Sequence, residues 1–116
     1  MSGLKDNYEN FLETSFANVN GELTKAQDAK LTIFDRGFLY GDSIYEVTYS
    51  ENGCLMFFDE HMDRLYNSAR ILDMHIFLSR EEITKEALKT LKHSKIKRAY
   101  IRIIITSKEE GELHMK

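Results

Sequence analysis

SIYEVTYSENGCLMFFDEHMDRLYNSARIL, Ser43 to Leu72, carries two different hydrophobic periods back to back. From Ser43 to Tyr49 the side chains alternate, so that Tyr45, Val47 and Tyr49 share one face, opposite Ile44, Glu46 and Thr48. Asn52-Gly53 then offers the pair that a two-residue type I′ turn needs, and the chain is predicted to fold back as a strand from Cys54 to Phe58. After that the period lengthens. Met62, Leu65, Ala69 and Leu72 recur at helical spacing and predict a helix that begins at Asp59, which caps it. Glu60 and Asp63 suit the positive end of its dipole. His61, Arg64 and Ser68 fall together on a flank of the apolar stripe, so Arg64 does not face the core.

The same logic extends in both directions. Upstream, FANVNGELT places Asn20-Gly21 between short apolar stretches and predicts a first hairpin. Downstream, Ser79 and Glu82 read as a capping box, opening a second helix predicted to bury Ile83, Ala87, Leu88 and Leu91. RAYIRIIIT then returns as a strand, with Ile101, Ile103 and Ile105 on one face and Tyr100, Arg102, Ile104 and Thr106 on the other. Hairpins, two helices and a returning strand describe an α+β domain, an antiparallel sheet of hairpins packed against two helices.

Bulk properties narrow the function classes. A chain of 116 residues builds one modest core. Its net charge of −3 argues against nucleic acid as the main partner. The single cysteine, Cys54, excludes an intrachain disulfide and suits a reducing cytoplasm. There is no apolar run long enough for a bilayer and no signal-peptide layout in MSGLKDNYEN, so a cytoplasmic protein without membrane contact is expected.

A few residues carry possible chemistry. Arg64, on its helix flank, is able to fork hydrogen bonds to a phosphate or carboxylate; a solvated surface arginine is the plainer reading. Arg102 sits at a mid-sheet position between isoleucines, where burying a lone guanidinium is costly. A structural salt bridge and an anion site both explain it, and Tyr100 on the same face has a hydroxyl to offer the same anion. Gly37 and Gly41 bracket Phe38-Leu39-Tyr40 and permit a tight path that brings Tyr40 to a cleft edge, although a simple turn explains them as well. Asp59, His61 and Asp63 are two apart on a helix and do not converge, so no metal site is expected. The basic run Lys89 to Arg98 reads as a solvated helix C-terminus.

DRGFLYGDSIYE (Asp35–Glu46), the following Asn-Gly, and DEHMDRLYNSARIL (Asp59–Leu72) together resemble the N-terminal domain of the class IV, pyridoxal-phosphate-dependent aminotransferases. That family includes branched-chain and D-amino-acid aminotransferases and aminodeoxychorismate lyase. The resemblance runs from about Ala17 to Leu113. It implies the small N-terminal domain of the D-amino-acid aminotransferase-like fold, with Arg64 on the arginine that binds the cofactor's phosphate. Tyr40 and Tyr45 fall on ring-bearing positions that line the substrate pocket. Tyr100 and Arg102 match the tyrosine and arginine near the substrate carboxylate in the branched-chain enzymes.

Some positions depart from the pattern. The D-amino-acid branch carries an arginine and a histidine two apart beyond the last strand, where this chain has Glu112 and His114. A glutamate there would repel a carboxylate, which tilts the expectation to the branched-chain side. The frequent Thr-Arg-Gly after that strand reads Thr106-Ser107-Lys108 here. In the family, the lysine that forms a Schiff base with the cofactor lies in a C-terminal domain, and no lysine of this chain has a matching context. The expectation is therefore a single N-terminal domain over residues 1–116, inactive by itself, from an enzyme that moves an amino group from a branched-chain L-amino acid to 2-oxoglutarate. The resemblance also implies a homodimer. A non-catalytic anion-binding or self-associating module and an aminodeoxychorismate lyase stay open as alternatives.

Overall fold

A computed structural model describes residue 10 and residues 12–107. The first hairpin pairs β1 (Phe16–Val19) with β2 (Glu22–Lys25). Asn20 and Gly21 both take positive φ, 55° and 95°, as a type I′ turn requires. The Asn18 side-chain amide donates to Glu86 and Thr90, tying this hairpin to a later helix. A short 3-10 turn (Ala26–Asp28) leads toward a short α-helix, α1 (Arg36–Tyr40). The Asp35 carboxylate caps α1 by accepting from the Phe38 amide, and Gly41 closes it in the left-handed conformation.

The larger sheet has the order β4-β3-β5, all antiparallel, from β3 (Ser43–Glu51), β4 (Cys54–Met56) and β5 (Tyr100–Thr106). Asn52 and Gly53, again at positive φ, make the β3–β4 turn. Two longer helices follow, α2 (Phe58–Ile71) and α3 (Arg80–Ser94). Phe58, Met62, Leu65 and Ala69 of α2 join Ile44, Met74 and Ile83 in the core, with Ile103 and Ile105 packed against it. The capping box at Ser79 and Glu82 is formed on both of its hydrogen bonds. Among the described residues no helix is long and apolar enough to cross a membrane.

Several local expectations need correction. The second strand ends at Met56, not Phe58, and α2 starts at Phe58 with Phe57 at its N-cap. Asp59 therefore lies in the first turn and is not the cap. Phe57 is left-handed at φ 54°, a conformation that no local preference of phenylalanine favours. Packing of Phe58 into the core explains why the chain turns there. Leu72 is exposed because the helix ends at Ile71 and the chain turns away through Asp73 at φ 54°. Leu88 is likewise exposed and Ala87 half-buried, so α3 buries Ile83 and Leu91 alone.

The sheet is covered on its more polar side. Ile44, Glu46, Thr48 and Ser50 face the helices and are buried, whereas Tyr45, Val47 and Tyr49 lie open. Each of the buried polar side chains of β3 is satisfied. Thr48 donates to the Met56 carbonyl, Ser50 accepts from the Ala99 amide, and Glu46 is held by α2.

Candidate functional site

The covered face of β3 meets the flank of α2 at Glu46. Alternation along β3 points this carboxylate inward, and it is only 7% exposed. Arg64 of α2 donates from Nε to Oε1 and Oε2 at 3.1 and 2.9 Å, and from Nη2 to Oε1 at 2.8 Å. His61, one helical turn earlier, places Nδ1 2.7 Å from the same Oε1. An ionised carboxylate only accepts, so this Nδ1 carries the hydrogen. Hydrogen bonds from Arg64 outweigh the opposing effect of burial and, with those from His61, hold the Glu46 carboxyl below the ordinary carboxylate range. In return, Glu46 keeps Arg64 still more firmly protonated.

This arrangement orients Arg64 without using it up. The Nε–Nη2 edge is taken by Glu46, while Nη1 has no partner among the described residues and the side chain is 67% exposed. A cation with one edge braced from beneath and the other turned outward suits a phosphate or carboxylate arriving from solvent. Sequence reasoning placed Arg64 on this flank but did not find Glu46 as its brace. The available signal was a glutamate on the same strand face as Ile44, opposite a run of aromatics.

Tyr45, Tyr100 and Arg102 gather on the open face of the sheet. Antiparallel register sets Tyr45 against Ile104, Val47 against Arg102, and Tyr49 against Tyr100. The Arg102 guanidinium lies 5.3 Å from the Tyr45 ring centroid, in cation–π contact. The expected burial of Arg102 is corrected here. Among the described residues β5 is an edge strand, Arg102 is exposed, and no carboxylate pairs with it. Tyr100 is 89% exposed, its hydroxyl free of any hydrogen-bond partner among the described residues. Arg64 and this group approach β3 from opposite sides, since Tyr45 and Glu46 are adjacent on the strand.

Tyr40 is exposed at the end of α1, with Arg36 5.0 Å from its ring centroid. The placement of α1 follows from two contacts. Thr106 at the end of β5 donates to Asp35 Oδ2 at 2.8 Å. A Cβ on Gly37 would run into the Thr106 side chain and come within 2.9 Å of Asp35 Oδ1, so the absence of a side chain lets α1 seat there. Arg36 also pairs with Asp42, whose carboxyl is held low first by Ser107 and then by Arg36. Glu112, His114 and Lys108 lie outside the described residues. No cluster of metal-ligating side chains occurs among the described residues. Two shallow depressions beside the Asn52-Gly53 turn are lined by none of Arg64, Tyr40, Tyr45, Tyr100 or Arg102.

A family model for amino-transferase class IV matches residues 43–114, more than half of the chain. The chain belongs to the class IV aminotransferase family. Among class IV aminotransferases it is 40% identical over 88 residues to a Methanocaldococcus jannaschii protein named "Putative branched-chain-amino-acid aminotransferase", covering 76% of this chain and 31% of that one. It is 44% identical over 73 residues to a Listeria monocytogenes D-alanine aminotransferase, covering 63% of this chain and 25% of that one. The solved branched-chain amino acid aminotransferase of Escherichia coli superposes with a TM-score of 0.73 at 26% identity, over 84% of this chain and 33% of that one. The chain therefore spans about a third or less of the length of these class IV relatives.

Proposed function

We propose that this chain is the N-terminal part of a pyridoxal-phosphate-dependent aminotransferase that takes the amino group from a branched-chain L-amino acid and passes it to 2-oxoglutarate. The observation that carries the reading is the braced Arg64, with its Nη1 edge turned to solvent. That donor set fits a phosphate monoester. Arg64 would hold the cofactor's phosphate, with Glu46 fixing the plane of the guanidinium. When bound, the cofactor supplies an electron sink for the bond broken at the substrate's α-carbon. On the open face, Arg102 and the Tyr100 hydroxyl offer a charged and a neutral donor to a substrate carboxylate. The Tyr45 ring orients the Arg102 guanidinium by stacking, and Val47 and Ile104 add apolar surface beside it. Tyr40, presented at the end of α1, would close the pocket from the other side.

The branched-chain assignment is supported by the name of the Methanocaldococcus relative and by the apolar neighbours of Arg102. In this proposal the Schiff-base lysine belongs to a C-terminal domain outside the given sequence, the working enzyme is a cytoplasmic homodimer, and residues 1–116 alone do not transaminate. The test is a transamination assay on the protein expressed from its whole gene. L-leucine, L-isoleucine or L-valine should be the preferred donor, and Arg102→Leu should raise the KM for that donor at least about tenfold. A preference for D-alanine, or release of pyruvate from aminodeoxychorismate, would overturn the substrate assignment.

A further inference from the structure

The charges around Glu46 leave a deficit once an anion arrives. Glu46 and Arg64 form a neutral pair, whereas a phosphate monoester brings nearly two negative charges near neutral pH. Arg64 cannot gain further charge. His61 can, because imidazole is the side chain whose charge turns over between about pH 5 and 8. It lies within 2.7 Å of Glu46 Oε1, the oxygen that Arg64 Nη2 also contacts, and its side chain is 21% exposed. With Nδ1–H committed to Glu46, the free position for a proton is Nε2. We propose that His61 is the second cation of this anion site, taking a proton from solvent onto Nε2 as a phosphate ester docks on Arg64. This rests on the reading of Arg64 given above.

The surroundings favour that assignment. From β3, Glu46 is the titratable group that meets the imidazole, at 2.7 Å from Nδ1. From α2 itself, Asp59 and Glu60 lie in the exposed first turn, and Asp63 pairs with Arg80 of α3. Arg102 of β5 is on the other face of the sheet, and β4 contributes no charged side chain. Proton uptake and phosphate binding are then reciprocal. Whatever factor protonation adds to phosphate affinity, phosphate adds to proton affinity.

The experiment follows imidazole resonances by NMR in the protein expressed from its whole gene, with His61 assigned by the spectrum of His61→Asn. The probe is pyridoxamine 5′-phosphate, which has no aldehyde to condense with lysines; pyridoxamine, lacking the phosphate, is the control. Saturation with the phosphate form should move the His61 titration midpoint up by about one pH unit, equivalent to a tenfold coupling, while pyridoxamine leaves it in place. His61→Asn keeps a donor to Glu46 but cannot become charged. It should weaken phosphate-ester binding about tenfold at pH 6 and by less than about twofold at pH 8.5. Binding that is lost in Arg64→Met, together with an unmoved His61 midpoint, overturns this inference and leaves the Arg64 reading standing. Binding unaffected by Arg64→Met, or no binding at all, overturns both.

Discussion

Replacing Glu46 tests whether the brace is a polar device with a defined sign. Glu46→Gln keeps the shape but turns one accepting oxygen into an N–H donor, set against groups that are themselves donors, Arg64 Nε and Nη2 and His61 Nδ1. Charge-assisted hydrogen bonds contribute about 1.5–3 kcal/mol against about 1 for neutral ones, and Arg64 recovers part of the loss from water. The expected cost is about 1–2 kcal/mol at pH 7. Glu46→Leu removes the buried charge altogether; Arg64 is mostly exposed and free to turn outward, so the partner it costs is the one acceptor of the partly exposed His61 Nδ1–H. It should cost less than about 1 kcal/mol. The apolar change is thus expected to be the milder one. Urea unfolding monitored by circular dichroism gives both values, provided the slope m is unchanged. The sign with pH follows from the depressed carboxyl. The folded state binds this proton less readily than the unfolded state, whose value lies near 4.5, so the contribution is full above that value and lost as pH falls through the lower folded pKa. Both variants should lack that acid-side loss. A Glu46→Leu protein less stable than Glu46→Gln, or pH profiles parallel to wild type between pH 6 and 3, would refute the account.

Other perturbations probe the frame around the site. Leu65 is fully buried in the core, and Leu65→Ala should cost about 2–5 kcal/mol in the same unfolding assay. Ser79→Ala removes one arm of the α3 capping box and should cost about 1 kcal/mol, with faster amide exchange confined to the first turn of that helix. Gly37→Ala drives a methyl group into Thr106 and should destabilise by about 1–3 kcal/mol; adding Thr106→Ser removes the methyl it meets and should restore part of the loss. No recovery in that double variant would show that α1 is seated by something other than this contact.

What was legible in the sequence was local. Asn20-Gly21 and Asn52-Gly53 carry their turn geometry in two residues, and Ser79 with Glu82 carry a helix start in four, so each was readable without knowing the rest of the fold. Phe57 was not readable, because a left-handed aromatic is dictated by where Phe58 must go. Leu72 and Leu88 fit the helical period yet lie exposed, since period says which residues share a side and not how far the neighbouring layer extends. The site divides the same way. Arg64 on its flank, and Tyr100 with Arg102 on one strand face, followed from periodicity. Glu46 as a brace, and Asp35 with Thr106 as a seat for α1, depend on pairs 18 and 71 residues apart, which no short window contains.

The burial of the polar side of β3 also bears on how the chain reaches its structure. A slip of one residue would turn Tyr45, Val47 and Tyr49 toward α2, and by hydrophobicity alone that arrangement would be preferred. What opposes it is the two-residue turn at Asn52-Gly53 and the hydrogen bonds of Glu46, Thr48 and Ser50, which form only in the native register. The fold therefore carries a built-in frustration, a competing greasy register held off by a few directional contacts. During synthesis, before α2 exists to offer Arg64, β3 lacks one of those contacts, and trapping in the wrong register is the misfolding route this sequence most invites.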